Sequence, residues 1–95
     1  MRVISYKRIR EAQLAWPHTA TALQSWYDKI THNALENFAQ MKSIFPAVDF
    51  VGKLHVFDIG GNKIRLIAGV SYSTQQVFIK QVLSHAQYDK DKWKE

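Results

Sequence analysis

The chain is 95 residues long, 46% hydrophobic and 22% charged, and its 13 Lys and Arg outnumber 8 Asp and Glu, leaving a net charge of +5. A chain of this size holds one modest core, so residues 1–95 read as a single domain, and the apolar content excludes an intrinsically disordered class. Cysteine is absent, which removes disulfide frameworks, thiolate metal sites and cysteine nucleophiles and suits a reducing compartment.

Met1 to Ser5 reads as a short strand with β-branched Val3 and Ile4 at its centre. Tyr6 to Ala15 is a basic helix ended at Trp16, because the residue before Pro17 is disfavoured in the helical region. Pro17 then opens a second helix, in which Leu23, Trp26, Tyr27 and Ile30 form one apolar face at the spacing i, i+3, i+4, i+7. Asn33 followed by Glu36 resembles a capping box and predicts a third helix from about Ala34, with a stripe of Ala34, Phe38, Met41 and Phe45 and a stop at Pro46.

The second half changes period. Leu54 to Ile59 is strand-like, Gly60-Gly61-Asn62 is a turn, and Lys63 to Tyr72 alternates as a long strand. Ile64, Leu66, Ala68, Val70 and Tyr72 share one of its faces; Lys63, Arg65, Ile67, Gly69 and Ser71 share the other. A turn at Ser73-Thr74-Gln75 leads to a last strand, Gln76 to Leu83, and then a polar end. The expected class is α+β: a short N-terminal strand and helices packed on a small antiparallel sheet that finishes in a three-stranded meander.

The longest stretch without a charge, Ala12 to Tyr27, is broken by Pro17, His18 and two glutamines, so no membrane span is expected. The N-terminus lacks the apolar stretch of a secretory signal, which leaves the cytoplasm by elimination. The basic excess is spread along the chain and points to a polyanion, to an acidic protein partner, or to a charge kept off zero for solubility.

Neither Gly-rich phosphate loop nor a His-Glu-x-x-His helix is present, and His18, His32, His55 and His85 lack ligand spacing, so no metal or cofactor is expected. What remains is a polar face on the last hairpin. Lys63 and Arg65 project to one side, Lys80, at the same parity as Phe78 and Val82, can share that side, and His85, Tyr88 and Asp89 follow at the strand's end. Cations of this kind hold a phosphate and stabilise charge growing on it, while His or Tyr moves protons. Each residue also has a plainer use: solvated charges on a strand, a surface His, a packing Tyr. The cluster Lys7, Arg8 and Arg10 is either a solvated helix face or a guide for RNA.

The ordered segments Gly61-Asn62-Lys63-Ile64-Arg65-Leu66-Ile67, Val77-Phe78-Ile79-Lys80 and His85-Ala86-Gln87-Tyr88-Asp89-Lys90 resemble the HigB-type toxins of bacterial type II toxin–antitoxin systems. Ser25-Trp26-Tyr27, Phe38-Ala39 and Phe45-Pro46-x-x-Asp49 extend the resemblance over almost the whole chain. It implies a RelE-like fold and an endoribonuclease that cleaves messenger RNA, often on the ribosome. Carried over, Arg65 contacts the scissile phosphate, and Asn62, Lys63, Lys80 and Arg8 bind RNA. His85 and Tyr88 become the candidates for proton transfer. The family often has Arg where this chain has Lys80, and Lys lacks the bidentate fork of Arg.

Such a set suits a route in which the RNA's own 2′-hydroxyl attacks the adjacent phosphate, without a metal. The family also implies a helix-turn-helix antitoxin as partner, with promoter DNA bound only through the toxin–antitoxin complex. Two rival readings use the same elements: a related toxin without catalysis that inhibits a protein target such as a topoisomerase, and a plain RNA-binding domain. The latter usually displays an exposed aromatic pair on its sheet, which this chain is expected to lack.

Overall fold

The structure, a computed structural model, describes residues 1–61 and 63–89. Five strands form one sheet in the order β1-β5-β4-β3-β2, where β1 is Arg2–Ile4, β2 Asp49–Val51, β3 Leu54–Ile59, β4 Ile64–Ser71 and β5 Gln76–Ser84. Three helices, α1 (Tyr6–Ala15), α2 (Ala20–Thr31) and α3 (Phe38–Ile44), precede β2, and a one-turn helix α4 (His85–Asp89) follows β5. This is the α+β class expected, with the β3-β4-β5 meander in place.

The sheet is mixed rather than antiparallel, because β1 pairs with β5 in parallel, Val3 opposite Val77. No tight turn ties these strands: nearly the whole chain lies between them, so their relative direction follows from how the helices dock. Strand β2 was not expected, since three residues are too short to show an alternation.

Pro17 opens a 3₁₀ turn, Pro17–Thr19, that runs into α2. On α2 the residues Leu23, Trp26 and Ile30 are buried as the spacing predicts. The third helix begins four residues later than expected. The Asn33 side chain donates to Lys29 O at 2.6 Å and so finishes α2. The cap of α3 is Asn37, whose Oδ1 accepts from the Gln40 amide at 2.9 Å. Ala34 is therefore exposed and outside the apolar stripe.

All three helices cover one face of the sheet. Ile9, Ala12, Leu23, Trp26, Ile30 and Met41 pack there on Phe57, Ile64, Leu66, Ala68, Val77 and Ile79. Phe57 is the keystone: its ring meets Trp26 edge-on at 5.3 Å and Phe45 at 5.2 Å. Burying each large apolar side chain contributes about 1.5–3 kcal/mol, so this face supplies most of the driving force for folding. The opposite face carries only a small cluster around Val56 and Ile67, closed by Val51, Leu54, Leu83 and Tyr88. It leaves the other end of that face open.

Candidate functional site

The open face is set by register. Arg65 lies opposite Asp58 on β3 and Leu83 on β5, and Gly69 lies opposite Phe78. Between Ile67 and Ala68 the pairing skips one residue, so Lys80 bulges out of β5. The bulge puts Phe78, Lys80 and Gln81 on the open face and returns Val82 to the helix side, opposite buried Leu66. The strict alternation expected for Phe78, Lys80 and Val82 therefore fails at Val82, although Lys80 reaches the expected face. Gly69 makes room for it: a Cβ on Gly69 would touch Lys80 Cε at 3.5 Å, so the lysine stem lies across the bare backbone.

Arg65 is the most constrained cation of the face. Its Nη1 donates to Asp58 Oδ1 at 3.1 Å, with the two side chains only 14% and 20% exposed. Its guanidinium sits 5.4 Å from the centre of the Tyr88 ring, a cation–π contact. A guanidinium fixed by a carboxylate on one side and a ring on another needs little reorganisation to meet an anion.

Tyr88 is delivered by α4, where the sequence suggests only a polar end after the last strand. Ser84 caps this helix: its Oγ accepts from the Gln87 amide at 3.2 Å while Gln87 Oε1 accepts from the Ser84 amide at 2.9 Å. That is a reciprocal capping box, Ser-x-x-Gln, a local pattern legible in the sequence. The His85 amide donates to Lys63 O at 3.3 Å, tying the start of α4 to the base of β4. His85 itself is more than half exposed and pairs with Asp89 at 3.4 Å, one turn on.

The structure thus brings Arg65, Tyr88 and Lys80 to one face of the sheet, with Lys80 further along it over Gly69, and ties His85 to Lys63 through the backbone at the α4 end. Asn62 lies outside the described residues. Arg8 is not brought there: it lines a shallow pocket with Glu11, Trp16 and Val82 on the helix side. The residue that sequence reasoning missed is Asp58. The Gly60-Gly61 turn, with φ of +67° and +61°, fixes the β3–β4 register and so sets Asp58 opposite Arg65; counting back across that turn would have found it.

A second His–Tyr pair faces the helices instead. His55 is 2% exposed and shares a 2.7 Å hydrogen bond between its Nε2 and Tyr72 Oη. The rings of Phe38, Phe50 and Phe57 surround it. Burial pushes the His55 imidazole below its ordinary pKa and the Tyr72 phenol above its own. Both are held neutral.

Residues 19–91 match the protein family described as HigB_toxin, RelE-like toxic component of a toxin-antitoxin system. Over 93 residues the chain is 33% identical to a protein of Escherichia coli O6:H1 (strain CFT073) named mRNA interferase HigB, covering 95% of this chain and 90% of the relative. It is 29% identical over 92 residues to the mRNA interferase toxin HigB of Escherichia coli K12, covering 94% of this chain and 88% of that one. A Shigella flexneri protein named mRNA interferase HigB matches at the same identity and coverage.

Proposed function

This chain belongs to the HigB family, the RelE-like toxic component of a toxin–antitoxin system, and we propose that it is a ribonuclease that cuts messenger RNA on the open face of its sheet. The observation that carries this reading is the fixed guanidinium of Arg65, held by Asp58 and Tyr88 on the face that the Lys80 bulge also reaches. The relatives' names, mRNA interferase, support the same substrate.

In this reading the scissile phosphate binds Arg65, and Lys63 and Lys80 hold its neighbours. The 2′-hydroxyl of the preceding ribose loses its proton to a base and attacks phosphorus. The P–O5′ bond breaks, leaving a 2′,3′-cyclic phosphate, and an acid protonates the departing 5′ oxygen. Arg65 stabilises the extra negative charge that phosphorus carries between the two events. Imidazole serves either proton role, and we assign one of them to His85, exposed at the rim. Tyr88, one turn along α4 and stacked on Arg65, either delivers the second proton or holds the guanidinium in place.

As a toxic component the protein has an antitoxin as partner; we take it to be a helix-turn-helix protein that carries the complex to promoter DNA. The site of action is the cytoplasm, where messages are translated, and the ribosome is the setting in which the RNA strand is presented.

Translation in vitro with added protein, followed by mapping of the 5′ ends of the message, tests the activity. New 5′-hydroxyl ends within the message, formed equally in EDTA, are expected. Inhibition of translation with no new ends would turn the reading toward a binder, and 5′-phosphate ends or loss of cleavage on chelation would overturn the 2′-hydroxyl route. His85→Gln and Tyr88→Phe divide the proton roles. A large loss for the first alone assigns the chemistry to His85; the reverse moves it to Tyr88.

A further inference from the structure

Beyond Arg65 the open face continues for about 13 Å along β4 to Gly69, at about 3.3 Å per residue. The surface there is built differently from the sealed end under Tyr88. Phe78 stands opposite Gly69, which has no side chain to cover it, and the residue is 37% exposed. Ile4 of β1 pairs with Phe78 from the other side, and Arg2 pairs with Gln76 on that same face. Arg2 and Lys80, both exposed, thus flank the ring at its two ends. Ser71, Gln76 and Gln81 beside them are polar and uncharged, and Asp49, an acidic residue that shares this face, lies two strands beyond β4 on the edge strand β2, opposite Val56.

An exposed aromatic plane between two cations, bordered by amide and hydroxyl groups, has the chemistry that single-stranded nucleic acid recognises. The cations follow the phosphates, the ring stacks on a base, and the amides read or tolerate its edge. Exposed apolar rings are uncommon on a strand that is otherwise polar on its outer side, and here the neighbouring glycine keeps the ring uncovered. We infer that Arg2, Phe78 and Lys80 form a subsite for the RNA strand next to the cut, in which the Phe78 ring stacks on a base on the order of two nucleotides from the phosphate at Arg65. This rests on reading the open face as the RNA face. It adds a residue, Phe78, that selects by stacking, and a cation, Arg2, at the opposite end of the sheet from α4.

Binding of fluorescein-labelled, fully 2′-O-methylated single-stranded RNA, which lacks the attacking hydroxyl, tests the subsite separately from cleavage. Oligonucleotides of increasing length are titrated against the whole protein by anisotropy. Affinity should rise once the strand is long enough to reach from Arg65 to Phe78. Phe78→Leu, which keeps the apolar bulk and removes the aromatic plane, should then lose about 5- to 100-fold on the long strands and nothing on the shortest. Phe78→Tyr should restore it. Arg2→Gln should lower the slope of log affinity against log salt by about one ion. Equal affinity of Phe78→Leu and wild type at every length would overturn the proposal. If Phe78→Leu does not fold, Phe78→Trp supplies the second measurement: stacking should quench the added indole emission, and an unquenched signal at saturating long RNA sinks the idea. A wild type that binds long strands through Phe78 but cuts no message would remove the ribonuclease reading and leave the subsite standing.

Discussion

Each face of the sheet carries a His and a Tyr, and the two pairs are used in opposite ways. On the helix side His55 and Tyr72 bond to each other inside a box of phenylalanines, and burial holds both in their neutral forms. On the open side His85 is more than half exposed and Tyr88 lies against the Arg65 guanidinium. The residue types are the same; solvent access and a nearby fixed cation are what differ. The buried pair is joined through Nε2 and Oη and leaves His55 Nδ1 without a partner among the described residues, whereas exposed His85 and half-buried Tyr88 stand where a phosphodiester can reach. The helix-covered side holds its sheet through Phe57, whereas the open side spends its only small apolar cluster on seating Tyr88.

That division can be broken from either side, and the helix side should break hardest. Phe57→Ala empties the contact with Trp26 and Phe45 and should cost about 3–5 kcal/mol, a large part of the stability of a small domain. Urea unfolding followed by circular dichroism checks it, and unchanged stability would mean that the core does not centre on this ring. On the open side Arg65→Ala should leave the protein folded, at a stability cost smaller than that of Phe57→Ala, and lower cleavage about 100-fold or more. A folded variant with full toxicity would remove the phosphate role from Arg65.

Asp58→Asn is a milder test of the same site. The amide oxygen still accepts from the guanidinium but the charge attraction is gone, so Arg65 is less firmly aimed. Turnover should fall about tenfold while RNA affinity stays level or rises, because a negative charge has left the site. Equal loss in affinity and turnover would show Asp58 acting on the fold rather than on Arg65. Asp58→Glu distinguishes charge from geometry: partial recovery is expected if charge dominates.

The smallest effect is a pH dependence that belongs to the helix side. His55 has its folded pKa depressed by burial, so below about pH 6.5 the unfolded chain takes up a proton that the folded chain refuses. Stability from this group is therefore fully present above that pH and falls as the pH drops toward the folded value. Unfolding free energy measured from pH 7.5 to 5 should decline in the wild type and decline less in His55→Phe. Identical slopes would mean that the His55 environment accepts the charge.

Much of this arrangement is visible in the residue order. The i, i+3, i+7 positions of Leu23, Trp26 and Ile30 and the alternation of Ile64, Leu66 and Ala68 against Arg65 are local, and both elements fold as that pattern predicts. The capping of α3 was misread because Asn33 and Asn37 offer the same side chain four residues apart. Which amide starts a helix and which finishes the preceding one depends on where Met41 must point to reach the core. The Ser84–Gln87 box was equally local but lay beyond a strand expected to end at Leu83.

The sequence by itself therefore determined the class, the two helical stripes, the β3–β4–β5 meander and the face that Arg65 occupies, because each rests on a period of a few residues. Only the tertiary structure decided the parallel seat of β1 beside β5, the bulge that turns Lys80 outward over Gly69, the exclusion of Arg8 from that face, and the closure of Tyr88 on Arg65. Those features join segments far apart in the chain or depend on one skipped residue in a ladder. A single skip inverts the facing of every side chain beyond it, and only packing against a filled core fixes where it falls.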